Sequence, residues 1–390
     1  MRLVFFILSP LLTFLYSCFD LQKRSSQIVF VLFFALFGYC HTFEDTRADS
    51  YRKYWSFTQY DANKGVGEII EDFKAGEIKD IYENLLFTVA RRVSDDPHIM
   101  MLAVGLFGGF FYMLVMKRFL RDRRMRYTLP IVILLLFMIM ESNIPLMGGI
   151  RNFSAFPLFV YSLIRLVIDN RKWWIVGLLL TPLIHFGYIF AVAMALVIWL
   201  IRIPNTLLHY LAVAVCVVSI FLDTSSYLGA VDIVMGTVEN EAIADRIGNY
   251  GDEDTDIEFN KSLTTQLTRL NNQISAIFIA LFLIYIRRNR HTLNQTEYEL
   301  RIYKLMLFFV TCSFLFISFS VVGQRLVYVA MVLLYLYMLN IYQLNRDSAI
   351  KSFICIMPFV YILHITWFIY NCYCNVGTDI LYQPIPFLLF

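Results

Sequence analysis

Long apolar runs with charged residues gathered at their ends alternate with short basic links along most of this chain, and two extended acidic segments interrupt the alternation. An apolar helix of about 20 residues crosses a bilayer, and a shorter one can do so when neighbours bury its ends. The pattern predicts about twelve such helices, near 3–19, 27–41, 98–116, 128–148, 153–169, 173–186, 187–201, 206–222, 271–286, 303–321, 326–343 and 352–370. The first run starts Met1-Arg2 like a secretion signal, but no small-residue cleavage site precedes Asp20 and further runs follow. It is therefore expected to be the first membrane helix. The expected class is all-α, a polytopic membrane helix bundle forming a single domain over residues 1–390.

Basic residues in short loops set orientation. The stretch KRFLRDRRMR at 117–126 carries six basic residues and one acid, which marks that loop as cytoplasmic. RRNR at 287–290, Arg171-Lys172, Lys23-Arg24, Arg346 and Lys351 fall on the same side if the segment 173–222 crosses an odd number of times. Three crossings meet that condition, with a tight outward hairpin at His185-Phe186-Gly187-Tyr188; one long tilted helix followed by a re-entrant piece is the alternative. The two long polar segments, 42–97 and 223–270, are then extracytoplasmic loops. The first has 12 acids against 8 bases and the second 10 against 3. In the first, Ile69, Ile70, Phe73, Ile78, Ile81, Tyr82, Leu85 and Leu86 recur at roughly helical spacing, which predicts amphipathic helix on the bundle or membrane surface. In the second, GNYGDEDTDIEFN reads as a solvated acidic loop without the spacing of a calcium-binding loop.

Composition removes several alternatives. With 59% hydrophobic and 16% charged residues, and a mean hydropathy of +0.62, the chain needs a lipid bilayer as its solvent. The net charge of +3 is dispersed between helices and forms no basic stripe, so no nucleic-acid partner is expected. The seven cysteines form no disulfide framework, and neither a bridge nor a metal pair is expected at Cys372 and Cys374. No dinucleotide fingerprint, P-loop, HExxH, GxSxG or paired CxxC is present, so no cofactor or metal is expected and no nucleotide-driven pump is encoded.

Chemistry must then come from polar side chains at the outward mouths of the helices. GGIRNFSAF places Arg151 and Asn152 at the start of a run, after two glycines that allow a turn or a close approach. His185 sits at the tip of the hairpin. Gln324 and Arg325 follow Gly323 between two runs that leave almost no loop. EDTRADSYRKYW puts Arg47, Asp49, Tyr51 and Arg52 just outside the second run. Glu141 falls inside a run, where a carboxylate is costly unless protonated, paired or facing a cavity, and Arg151 or Arg325 is its candidate partner. A guanidinium stays charged and its planar fork matches phosphate oxygens, so two outward arginines could hold a diphosphate. Either arginine alone could equally reach to lipid headgroups.

A short N-terminal helix pair, an outer DSYRKYW, GGIRNFSAFPLFVYSLIRLVI, a basic turn and LLLTPLIHFGYIFAVAMAL together resemble the EpsG family of bacterial polysaccharide polymerases, relatives of the Wzy O-antigen polymerases. In that family an Asp and a Tyr follow the second span, an Arg opens a middle span and a His comes later. The matching positions here are Asp49, Tyr51, Arg151 and His185, and Arg325 matches a late outward Arg. The usual Gly-Thr-Asp before the Tyr is here Arg-Ala-Asp-Ser.

The resemblance implies a GT-C-like glycosyltransferase of the bacterial inner membrane. Such an enzyme joins oligosaccharide repeat units carried on undecaprenyl diphosphate, for an O-antigen, capsule or exopolysaccharide, at the outer leaflet. A flippase and a chain-length regulator are the implied protein partners. In this reading Arg151 and Arg325 hold the diphosphate, and His185 or Asp49 is the general base. The competing readings are a flippase for the lipid-linked unit and a membrane acyltransferase; the chain shows no internal repeat of the kind many transporters carry.

Overall fold

In the computed structural model, every regular element among the described residues is a helix. The structure describes residues 2–43, 49–61, 63–78, 80–120, 127–221, 263–317 and 320–388. Two compact units result: Met1–Ile201 with Thr366–Phe390, and Arg202–Ile365. Among the described residues, five helices are long and apolar enough to cross a membrane: Pro97–Phe119, Leu129–Leu146, Ile150–Ile168, Gln266–Arg288 and Arg325–Asn345. A sixth is reached if Ser348–Val360 and Ile362–Val376 count as one bent span. Arg24–Tyr39, Lys172–Ile184, Phe186–Leu200 and Asn205–Ser219 are apolar but shorter.

The first expected span is corrected. Residues 3–19 form two short helices, α1 (Arg2–Leu8) and α2 (Pro10–Cys18), broken at Ser9. A continuous helix of that length would separate its ends by roughly 25 Å. Instead the Arg2 guanidinium lies 2.8 Å from the Asp20 carboxylate, so the pair folds back on itself. Proline at the first position of α2 removes an amide that could have continued the preceding turn.

In the first unit, α3 (Arg24–Tyr39) lies against α7 (Pro97–Phe119). Lipid tails are as apolar as leucine, so helices in a bilayer are held by close packing and not by exclusion from water. Glycine provides that closeness here. A methyl group on Gly105 would overlap the Phe34 carbonyl, and one on Gly38 would overlap the Met101 carbonyl. Gly108 makes room for the Phe153 ring, which sits on α9 (Ile150–Leu163) with its ring centre 6.2 Å from that of Phe34. α9 ends in a π-turn, Ile164–Ile168. There Asp169 accepts from Arg118 and, at 2.8 Å, from Arg165.

The polar segment after α3 folds into three helices, α4 (Asp49–Gln59), α5 (Val66–Ala75) and α6 (Tyr82–Val93). The predicted amphipathic pattern is therefore divided. Ile69, Ile70 and Phe73 belong to α5, and Tyr82, Leu85 and Leu86 to α6, with Gly76 (φ 81°) closing α5 in the left-handed conformation. Phe57 on α4 and Phe87 on α6 meet edge to face at 5.6 Å and are both buried. The acidic segment 223–270 divides differently: 222–262 lies outside the described residues, and from Leu263 the chain is already helical.

After α8 (Leu129–Met140) come α10 (Ile175–Ile184) and α11 (Ile189–Leu200), both in the first unit. The second unit contains α12 (Asn205–Ser219), α13 (Leu263–Arg288), α14 (Glu297–Leu315), α15 (Ser320–Asn345) and α16 (Ser348–Val360). α14 opens with a reciprocal cap between Thr296 and Glu299. Buried His209 on α12 is 2.7 Å from the Tyr303 hydroxyl on α14. Cys372 and Cys374 lie on a helix, α17 (Ile362–Val376), and not on a strand. Positions two apart on a helix face different ways, and all seven cysteines are free thiols.

Candidate functional site

The polar residues of the first unit converge on the first turn of α9. The chain reaches it from α8 through a buried connector: Glu141 caps α8, and Asn143 takes a left-handed turn (φ 55°) before a 3-10 turn at Ile144–Leu146. Gly148 and Gly149 follow. A methyl on Gly148 would lie 3.0 Å from the Ser50 side chain, and one on Gly149 would lie 4.0 Å from an Asp49 carboxylate oxygen. The glycine pair therefore admits the start of α4, and it brings Asp49 to the base of α9.

Arg151 stands on the first turn of α9 with about a third of its side chain exposed. Its Nη1 donates to Asp80 Oδ2 at 2.9 Å, and its Nε lies 3.2 Å from Glu83 Oε2. Asp49 adds a third negative charge within electrostatic reach. Glu83 in turn accepts from Lys53 Nζ through both carboxylate oxygens, at 2.6 and 2.7 Å. The outcome is a run of alternating charge, Asp80–Arg151–Glu83–Lys53, assembled from α9, the start of α6 and α4.

Asp80 is the most deeply placed member, with its side chain 2% exposed. Burial pushes its carboxyl up from the ordinary aspartate value, and the Arg151 guanidinium opposes that rise. Next to it, the Tyr82 hydroxyl meets Ser154 Oγ at 2.7 Å. Burial pushes the Tyr82 phenol up to about 12, so it stays protonated. These contacts dock the α6 start onto α9.

His185 joins from a third direction. α10 ends at Ile184, His185 is extended (φ −150°, ψ 108°), and a 3-10 turn Phe186–Tyr188 leads into α11. The break exposes a helix-end carbonyl, and the Ile81 amide donates to that of Leu183 at 3.1 Å. The His185 ring centre is 6.0 Å from that of Tyr188, whose hydroxyl donates to Asn152 Oδ1 at 3.2 Å. His185 is thus linked through Tyr188 to the turn that carries Arg151.

Of the residues marked by sequence, Asp49, Arg151, Asn152 and His185 come together in one place. Tyr51 lies on α4, with its ring centre 6.1 Å from that of Tyr54. Glu141 is at the end of α8 and is buried; the acids on Arg151 are Asp80 and Glu83. Gln324 and Arg325 lie on the second turn of α15 in the other unit, and Arg47 lies outside the described residues. The sequence did not mark Lys53, Asp80 and Glu83, and it marked Tyr82 and Tyr188 only as parts of an amphipathic pattern and a hairpin. The one signal was the helical spacing that already marked Ile81, Tyr82 and Leu85, between which Glu83 sits. Among the described residues, no three His, Cys, Asp or Glu side chains are grouped to hold a metal.

A sequence profile described as the EpsG family matches residues 27–376, nearly the whole chain. No curated protein and no solved structure matches it.

Proposed function

The chain belongs to the EpsG family, and from that premise we propose that it is a polysaccharide polymerase, a glycosyltransferase that joins oligosaccharide repeat units carried on a polyprenyl diphosphate. The observation that carries this reading is a fork-shaped cation, Arg151, on the first turn of a membrane helix whose cap residue, Gly149, has no side chain to occupy the free amides. Helix N-termini and guanidinium groups both favour phosphate oxygens. With the basic links at 117–126 and 287–290 cytoplasmic, this mouth faces outward. If the four shorter apolar helices also cross, the five long ones and the bent pair bring the GT-C-like class to about ten membrane segments, with the α1–α2 hairpin in place of the first expected span.

In the reaction, an acceptor hydroxyl oxygen attacks the anomeric carbon of the donor. The bond from that carbon to the diphosphate breaks, and the lipid diphosphate leaves with the electron pair. Arg151 stabilises the charge that grows on the leaving group. A diphosphate leaves readily, so no general acid is required. The acceptor proton passes to a base, for which His185 and Asp49 are the candidates; His185 is the half-buried one beside the Tyr188–Asn152 contact, and Asp49 is exposed.

The test is the size profile of surface polysaccharide in a deletion strain complemented with wild type, Arg151→Ala or Arg151→Lys. The lysine variant keeps a counter-charge for Asp80 but loses the planar fork. Loss of long chains in both variants, with single lipid-linked units still outside the membrane, supports a polymerase. Units retained on the cytoplasmic side would indicate a flippase, and full-length chains lacking acyl groups an acyltransferase. Normal polymer in both variants would remove Arg151 from the mechanism.

A further inference from the structure

The arginine assigned to the diphosphate already has its fork occupied. Asp80 holds Nη1 and Glu83 approaches Nε, so the site contains its own anions. The two carboxylates are not equivalent. Asp80 is buried and bonded to Arg151. Glu83 sits at ion-pair distance from Arg151, accepts from Lys53 through both oxygens, and is more exposed than Asp80, its side chain 16% against 2%.

We infer that Glu83 is a stand-in anion: it bridges Lys53 and Arg151 where the diphosphate of the donor binds, and Lys53 is a second cation for that diphosphate. The inference rests on the polymerase reading above and deepens it. Three features carry it. The bridging carboxylate spans two cations from different helices, as the two phosphoryl groups of a diphosphate would. Lys53 is mostly buried, 17% exposed, and its ammonium is directed at the same carboxylate as Arg151. Lastly, α4 and α6 are short helices that pack on each other through Phe57, Tyr60 and Phe87. That apolar contact keeps both helices in place when the glutamate swings away. On arrival of the ligand, Glu83 leaves Arg151 and Lys53, while Asp80 stays on Nη1 and fixes the guanidinium plane. Asp80 is in this sense a positioning residue.

Charge balance supports the exchange. Asp49, Asp80 and Glu83 match Arg52, Lys53 and Arg151, so a neutral cluster would gain a large negative charge if the ligand simply added to it. Displacing Glu83 from the two cations relieves part of that excess.

The experiment measures binding of farnesyl diphosphate and of inorganic pyrophosphate to the purified full chain in lipid nanodiscs, for wild type, Arg151→Lys, Glu83→Gln and Lys53→Met. Glu83→Gln removes the competing anion and should tighten farnesyl diphosphate binding roughly tenfold, the scale of one charge-assisted hydrogen bond. Lys53→Met should weaken it by roughly the same factor. Tighter binding of farnesyl diphosphate than of pyrophosphate identifies a lipid-linked ligand and equal binding the diphosphate group alone; the exchange is supported when Glu83→Gln tightens and Lys53→Met weakens that binding. If wild type binds through Arg151 but Glu83→Gln and Lys53→Met match it, the stand-in anion is wrong and the polymerase reading survives. If neither probe binds wild type, or Arg151→Lys binds as well as wild type, the diphosphate reading fails and this inference with it. Should Glu83→Gln fail to fold, Lys53→Met decides: unchanged affinity overturns the proposal.

Discussion

Arg151 and Asp80 lie 71 positions apart in the chain and 2.9 Å apart in space, and of the two only the aspartate is fully buried. The pair joins a membrane helix to the loop segment that covers its mouth. It also gives the two partners unequal roles, because a charge left alone in a buried position costs more than one left near solvent.

Loss of the arginine should therefore be felt mainly through Asp80. Arg151→Ala leaves a buried carboxylate without its cation and is expected to lower stability by about 1–3 kcal/mol, less than a fully buried pair because Arg151 is partly exposed. Adding Asp80→Asn should restore most of that loss. Thermal unfolding of the single and double variants in detergent provides the check; equal instability of both would show that Asp80 is not the cause.

The same aspartate predicts a pH dependence. Burial raises its carboxyl above the unfolded value despite Arg151, so its contribution to stability is fully present below the ordinary aspartate range. That contribution is lost as pH rises through the raised value. Wild type should accordingly lose stability, relative to Asp80→Asn, across the window upward from about pH 4. Parallel profiles for the two proteins would contradict this.

Gly105 tests the packing of α3 on α7. Its added methyl would meet the Phe34 backbone carbonyl, which cannot rotate away as a side chain could. Gly105→Ala should cost about 1–3 kcal/mol by overpacking. Gly67, where a methyl meets nothing within 4 Å, is the matched control. Comparable unfolding temperatures for the two alanine variants would show that α3 and α7 are not in this contact.

Thr296 provides a stability change distant in sequence from the proposed chemistry. Thr296→Ala removes one half of the reciprocal cap on α14 and is expected to cost about 1 kcal/mol. Polymer length should be unchanged in cells carrying it. A shortened polymer at normal protein level would give the α14 start a functional role.

The membrane character, the helical class and the places where most helices lie follow from sequence alone, because the cost of burying charge in lipid confines charged residues to helix ends. The same pattern marked Arg151, Asn152, His185 and Asp49, since polar side chains at the ends of apolar runs are few. Chain reversal within an apolar run was not legible. Residues 3–19 are as apolar as a span, and only the meeting of Arg2 with Asp20 reveals a hairpin. Nor could sequence select Asp80 and Glu83 from the 12 acids of the 42–97 segment. Each of those acids has the same local chemistry, and what sets these two apart is the docking of α6 on α9 through Tyr82 and Ser154. Hydropathy is a property of each residue and its near neighbours, so it is written in the chain. The partner of a charge is a property of which helices meet, and only the tertiary structure decides that.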